Sequence, residues 1–147
     1  MKDGSYYEGN FTQGEIDGEG EFHYANGGVY KGQFKLGEKN GTGKLISPSL
    51  TYDGEWSMNV MQGAGTLQTS SFTLEGSFLN HKPHGFCRYF SDSYHYTGEY
   101  VQGKKEGRGN YQSDTETYEG EYRNDLRNGE GHLVLKDYHY IGNFVDD

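Results

Sequence analysis

The sequence predicts an all-β protein, an elongated, twisted single-layer antiparallel sheet built as a meander of β-hairpins. Three observations predict this class. One pattern recurs about every 22 residues along the chain, and a fixed period in this range is typical of repeat arrays. Within each repeat, large or glycine residues alternate with polar ones at the period of two that strands show. No stretch has the apolar spacing of an amphipathic helix.

The pattern divides the chain into a lead-in, residues 1–6, and a repeat array, residues 7–147. The repeats begin at residues 7, 30, 52, 74, 96, 118 and 140, and each begins with tyrosine except the one at Leu74. Glycine stands two residues after every start: Gly9, Gly32, Gly54, Gly76, Gly98, Gly120 and Gly142. An aromatic residue stands four after every start: Phe11, Phe34, Trp56, Phe78, Tyr100, Tyr122 and Phe144. The seventh copy stops at Asp147, so we expect it to be truncated to one strand.

The second half of each repeat predicts a second strand that pairs with the first. Glycines stand eleven and thirteen residues after the start, with Cys87 as the one replacement, and a large apolar or aromatic residue follows at fifteen. Seven after the start stands Gly, Asn, Asp or His, the residue types that best tolerate positive φ. We therefore expect a hairpin connection there, running on to the glycine at position eleven, and thirteen strands in the array.

Glycine inside a strand normally weakens it, so these glycines need a physical reason. Each first-strand glycine lies between two large side chains on the same face, and its missing side chain lets a ring lie flat over the backbone. We expect a glycine floor on which the rings pack against one another without a second layer of structure. We also expect this aromatic face to form the inside of the curved sheet.

The pattern Tyr-x-Gly-x-(Trp/Tyr/Phe)-x-x-Gly-x-x-x-Gly-x-Gly resembles the MORN repeat (membrane occupation and recognition nexus). The resemblance covers the chain from Tyr7 to its end and implies an elongated, grooved antiparallel sheet. It also implies a role in organising cytoskeletal, ciliary or membrane-apposed assemblies. Some members of the family are enzymes, but their chemistry sits in a separate domain.

The residues themselves predict no enzyme, no cofactor and no metal site. Residues 98–104 match part of a P-loop, but Lys105 stands where Ser or Thr should bind magnesium, and the context is strand–turn–strand. His81, His84 and His95 lack a zinc-type spacing. Cys87 replaces a template glycine, and its expected role is packing as a small hydrophobe.

The charge of the chain indicates which classes of partner it can bind. The formal net charge is −9, and the outward positions of the repeats hold ten acidic and four basic residues. Nucleic acid and anionic lipid both require clustered Lys or Arg, so nucleic acid is excluded and membrane lipid is the weaker alternative. With one cysteine and neither a signal peptide nor a membrane span, we expect a cytoplasmic location, and the resemblance adds cytoskeletal or ciliary association.

The predicted function is a non-catalytic scaffold or adaptor that binds an extended or helical protein segment along an aromatic groove, or end to end. Self-association through the C-terminal edge strand is a further route. The alternatives are a phosphoinositide-binding membrane module and a regulatory repeat segment of a larger enzyme. We expect the deepest rings to pack among themselves and rings at the rim to contact the partner. The candidate partner-binding residues are Trp56, Phe78, Tyr100, Tyr122, Tyr89 and Tyr111.

Overall fold

The computed structural model describes residues 3–147, and within them it confirms the all-β class. Thirteen strands follow one another along this part of the chain. None of the described residues forms a helix that could cross a membrane. The strands are β1 (Tyr6–Thr12), β2 (Glu15–His23), β3 (Val29–Lys35), β4 (Glu38–Ile46), β5 (Leu50–Ser57), β6 (Val60–Thr69), β7 (Phe72–Leu79), β8 (Lys82–Ser91), β9 (Tyr94–Val101), β10 (Lys104–Ser113), β11 (Glu116–Arg123), β12 (Leu126–Leu135) and β13 (Tyr138–Phe144).

The chain divides into two compact units, the first ending at Ser70 and the second spanning Ser71–Asp147. In the N-terminal unit, β1 to β6 form an antiparallel sheet in which each strand pairs with the next along the chain. In the C-terminal unit, β7 to β13 pair in the same way. The predicted meander of hairpins is confirmed within each unit.

Within each of the six full repeats, the hairpin closes with a two-residue loop in which both residues have positive φ, the signature of a type I′ turn. The expected positive φ at the seventh position is found, for example at Asn59 (66°) and Asp125 (74°). The φ at the sixth position is also positive, which the sequence did not predict because Leu36 (50°) and Met58 (47°) are not residue types that favour positive φ. The loops are residues 13–14, 36–37, 58–59, 80–81, 102–103 and 124–125.

The second strand therefore starts earlier than expected, and the glycine at position eleven forms a bulge within it. In β4, Lys39 pairs with Phe34 and Gly43 pairs with Gly32, which leaves residues 40–42 opposite Gln33. Gly41 takes a φ of 96° at this bulge, a conformation that glycine adopts without strain. The Gln33 side chain accepts a hydrogen bond at 2.9 Å from the Thr42 N–H. This bond satisfies a donor that the interrupted ladder leaves unpaired.

The glycine floor is confirmed as a continuous line that crosses the strands of each unit. In the N-terminal unit, paired positions run through Gly9, Gly20, Gly32, Gly43, Gly54 and Gly65. In the C-terminal unit, they run through Gly76, Cys87, Gly98, Gly109, Gly120, Gly131 and Gly142.

Candidate functional site

The first tyrosine of a repeat lies over the glycine floor and is anchored by its hydroxyl. Tyr30 has no exposed surface, and its hydroxyl donates a hydrogen bond to the Gln33 carbonyl at 3.0 Å. A Cβ atom at Gly43 would lie 2.7 Å from the Tyr30 Cε2, so only glycine leaves room for the ring. Tyr118 repeats the arrangement over Gly131 and donates to the Glu121 carbonyl at 3.0 Å.

Edge-to-face contacts join each such tyrosine to an aromatic ring in its own strand and to one in the next repeat. The Tyr30 centroid lies 5.0 Å from that of Phe34 and 5.5 Å from that of Trp56, with interplanar angles of 84° and 88°. Tyr96 makes the same pair of contacts with Tyr100 and Tyr122, at 5.3 Å each. Each contact contributes about 1 kcal/mol beyond the area it buries. This chain of rings forms the core of each unit.

The structure places four of the six predicted partner-binding rings in this core. The exposed fractions are 5% for Trp56, 3% for Phe78, and 6% each for Tyr100 and Tyr122. The other two predicted residues, Tyr89 and Tyr111, are only partly buried. The first four are therefore deep rings, and Tyr89 and Tyr111 are rim rings in the sense expected from the sequence.

Tyr89 and Tyr111 belong to a stack of four rings on the aromatic face of the C-terminal unit, which we call the aromatic ladder: Phe72, Tyr89, Tyr94 and Tyr111. Successive centroids lie 5.2, 4.8 and 5.0 Å apart, with interplanar angles of 26°, 19° and 28°. All four rings are partly exposed. Sequence reasoning missed Phe72 and Tyr94, although their position two residues before a repeat start puts them on the same face as the first tyrosine.

A lysine ammonium lies among the rings beside the ladder. The Lys105 Nζ is 4.9 Å from the centroid of Tyr94, 4.7 Å from that of Tyr96 and 5.3 Å from that of Tyr111. Burial lowers the pKa of Lys105, and the nearby Asp125 carboxylate opposes part of that shift. In the N-terminal unit, Lys39 has the equivalent place over Trp56, at 4.6 Å. Burial likewise lowers its pKa.

The type I′ turn of the following repeat holds each of these lysines by its backbone. The Asp125 N–H donates to the Lys105 carbonyl at 3.0 Å, and the Asp125 carboxylate accepts from the Lys105 N–H at 2.8 Å. Asn59 makes the same two bonds to Lys39, at 3.0 and 2.9 Å. A side chain at this turn position therefore clamps two consecutive repeats together.

The far end of the ladder is closed by an ion pair. The Arg127 guanidinium bonds to the Glu116 carboxylate, and both side chains are largely buried, with 17% and 23% exposed. The guanidinium carbon also lies 4.9 Å from the Tyr118 centroid and 6.0 Å from that of Tyr111. Cationic groups thus stand beside the exposed rings in an otherwise acidic protein.

The opposite, polar face of the sheet carries cavities. In the C-terminal unit, a cavity of about 760 Å³ runs over the glycine line from Gly98 to Gly142. In the N-terminal unit, a cavity of about 490 Å³ covers Gly32 and Gly43. The physical reason is that the glycine floor has two sides. Rings fill one side, while the other is bare backbone between rows of polar side chains.

Two kinds of reactive site, a metal centre and a nucleophilic cysteine, can be checked in the described residues. Within residues 3–147, no three His, Cys, Asp or Glu side chains cluster closely enough to hold a metal ion. Cys87 has no exposed surface, and burial raises the pKa of its thiol. A thiol with a raised pKa has little of the thiolate that a nucleophile requires.

Comparison with known families gives one match that extends over most of the chain. The family model described as the MORN repeat matches residues 7–29, 30–51, 52–72, 75–93, 96–116 and 118–139. Five of these six segments begin at the starts that the sequence pattern predicted, and the fourth begins one residue later. No curated protein sequence matches the chain.

Proposed function

Since this chain belongs to the MORN-repeat family, we propose that it is a non-catalytic scaffold or adaptor that binds a protein partner. The observation that carries the proposal is the aromatic ladder of the C-terminal unit. Aromatic side chains are enriched at protein interfaces because they bury a large area at a low cost in conformational entropy. The aromatic ladder is a stack of partly exposed rings on the surface of this acidic repeat protein, so it has the composition that is typical of a protein interface.

The ladder suits an extended or helical segment of the partner. Its four rings lie on strands β7 to β10 and span three strand spacings, about 14 Å. Apolar side chains of the partner would pack on the ring faces and edges. Lys105, held among the same rings, would offer a positive charge to an acidic group or a backbone carbonyl beside them.

We expect the partner's affinity to fall at least tenfold when the ladder is changed by the pair Tyr89→Leu and Tyr111→Leu. Other repeats carry leucine at the same position, as Leu45, Leu67 and Leu133, so the fold accommodates it. The change removes the ring stack and retains an apolar residue. The measurement is a titration of wild-type and variant chains with the purified partner, recovered by affinity capture from the native cell.

Glu75→Gln, an exposed change on the polar face, is the matched control and should leave the affinity within about twofold of wild type. Melting temperatures of all chains show whether the folds are equally stable. If the leucine pair binds like wild type while Glu75→Gln weakens binding, the partner lies on the other face, and the ladder has no part in its recognition.

Phosphoinositide binding is the competing proposal, and the charge of the chain argues against it. With 13 Lys and Arg against 22 Asp and Glu, the chain has no excess of the basic groups that hold anionic headgroups. We expect no sedimentation with vesicles containing phosphatidylinositol bisphosphate at physiological salt. Robust sedimentation that weakens as salt is raised would favour the membrane function instead.

A further inference from the structure

The aromatic ladder brings three tyrosine side chains into a stack in which the face of one phenol lies against the face of the next. The Tyr89 and Tyr94 centroids lie 4.8 Å apart with an interplanar angle of 19°, and the Tyr94 and Tyr111 centroids lie 5.0 Å apart at 28°. The three rings come from neighbouring strands, β8, β9 and β10, and all are partly exposed. Tyr94 is therefore stacked between two other tyrosines at the surface.

The hydroxyl groups of the closer pair also lie near each other. Burial raises the pKa of Tyr94 to about 12, and a hydrogen bond with the Tyr89 side chain is the next cause of this shift. A hydrogen bond between two phenols requires their oxygens to lie at the same end of the stack. The ring carbons beside each hydroxyl, the ortho carbons, then lie near each other as well.

The tyrosines of the core have a different geometry. Tyr96 meets Tyr100 and Tyr122 at 88° and 89°, so the edge of one ring points at the face of the other. These rings are buried, and a core hydroxyl is held by the backbone, as that of Tyr118 is by the Glu121 carbonyl at 3.0 Å. Close packing keeps such rings from sliding until two ortho carbons meet. The partly exposed rings of the ladder have that freedom.

Stacked phenols with neighbouring ortho carbons are suited to oxidative coupling. A one-electron oxidant removes an electron from each of two tyrosines, and each ring releases its hydroxyl proton to water, which leaves two neutral phenoxyl radicals. The two unpaired electrons form a carbon–carbon bond between ortho carbons. Each of these carbons then gives up its hydrogen as a proton, and each oxygen takes up a proton, so both phenols are restored. The product has lost two hydrogen atoms, whose electrons reduce the oxidant.

From this geometry we propose that Tyr94 is an oxidative cross-linking site, which forms dityrosine with Tyr89 or Tyr111 when the chain meets a one-electron oxidant. The bond with Tyr89 joins β8 to β9, and therefore the fourth repeat to the fifth. The bond with Tyr111 joins β9 to β10 within the fifth repeat. Either bond adds a covalent link between strands that are otherwise joined by hydrogen bonds and short loops. The inference rests on the geometry of the ladder and not on the binding of a partner there.

Photo-oxidation of the whole chain tests the inference. Ruthenium tris(bipyridine) with persulfate and a brief flash of visible light supplies the oxidant, and dityrosine fluorescence of the monomer fraction measures the yield. Digestion at acidic residues, including Asp92, separates Tyr89 from Tyr94, and mass spectrometry then finds linked peptides that have lost two hydrogen atoms. We expect most intramolecular links to join Tyr94 to one of its two neighbours. Links spread evenly over exposed tyrosines such as Tyr6 and Tyr138, which are 50% and 54% exposed, overturn the inference.

Phenylalanine variants identify the residues, because phenylalanine retains the stacked ring and has no phenol to oxidise. Tyr94→Phe should lower the dityrosine yield of the monomer at least fivefold, and the double variant Tyr89→Phe/Tyr111→Phe should do the same by removing both neighbours. Tyr138→Phe is the matched control and should leave the yield within about twofold of wild type. Melting temperatures show whether the variants are equally folded. An unchanged yield in the double variant, or an equal loss in Tyr138→Phe, overturns the inference.

Discussion

Replacement of Gly109 by alanine is expected to lower the free energy of unfolding by about 3 kcal/mol. The backbone at Gly109 does not have positive φ, so alanine fits its conformation, and the cost comes from space alone. The new Cβ would overlap the Tyr96 hydroxyl and lie 2.6 Å from its Cζ. Tyr96 has no exposed surface and is packed against Tyr100 and Tyr122, so its ring has nowhere to move. Denaturant unfolding monitored by circular dichroism measures the effect.

Gly103→Ala is the control that separates space from backbone strain. Gly103 has a φ of 89°, and a Cβ there would meet no atom closer than 3.8 Å. Its replacement should therefore cost only the strain of a non-glycine residue at positive φ, about 1 kcal/mol. Should Gly109→Ala prove no more costly than Gly103→Ala, the ring does not rest on the glycine floor as the structure has it.

The second large effect is a steep loss of stability above pH 10. Burial raises the pKa of Tyr52 from its ordinary 10.0 to about 12. Burial also raises the pKa values of Tyr30, Tyr96, Tyr100 and Tyr122. Between pH 10 and the raised values, the unfolded chain loses these phenol protons while the folded chain keeps them. The unfolded state then binds fewer protons, so stability falls with pH, by up to about 1.4 kcal/mol per pH unit for each tyrosine.

The buried lysines act in the opposite sense and do not prevent this loss. Burial lowers the pKa values of Lys39 and Lys105. Their unfolded forms bind more protons only between the lowered values and about 10.5, where stability rises with pH. Above that range only the tyrosine effect remains. Parallel titrations of tyrosinate absorbance and circular dichroism should show the two signals changing together. Ionisation of most of the 14 tyrosines with the β-sheet signal unchanged would contradict the buried ring core.

Most of the fold was predictable because the same steric requirement, glycine beneath a ring, recurs from repeat to repeat. Gly32 and Gly43 are needed where the Tyr30 ring meets the backbone, and a requirement that recurs in every copy is visible as a column of glycines. The positive φ at Leu36 could not be predicted in this way. It follows from the twist of a two-residue hairpin and not from the preference of leucine.

The surface features were harder to predict because they depend on how deeply each ring is buried and on which side of the glycine floor carries no rings. Tyr96 and Tyr111 are the same residue type on the same face, yet one is fully buried and the other partly exposed. The two rings differ in burial because Tyr122 of the neighbouring repeat packs edge-to-face against Tyr96. The cavity on the polar face of the C-terminal unit was missed for another reason. Bare glycine backbone on the polar side of the sheet leaves no mark in the sequence beyond the glycines already assigned to the rings.

The strand order of each unit also determines how it responds to mechanical force. In the C-terminal unit, every strand is bonded only to the strands before and after it in the chain. Tension between β7 and β13 acts across the strands, so it loads their hydrogen bonds one after another and not all at once. Under such tension the unit would extend in steps of one strand at low force. Each strand released would lengthen the tether between whatever the two ends hold.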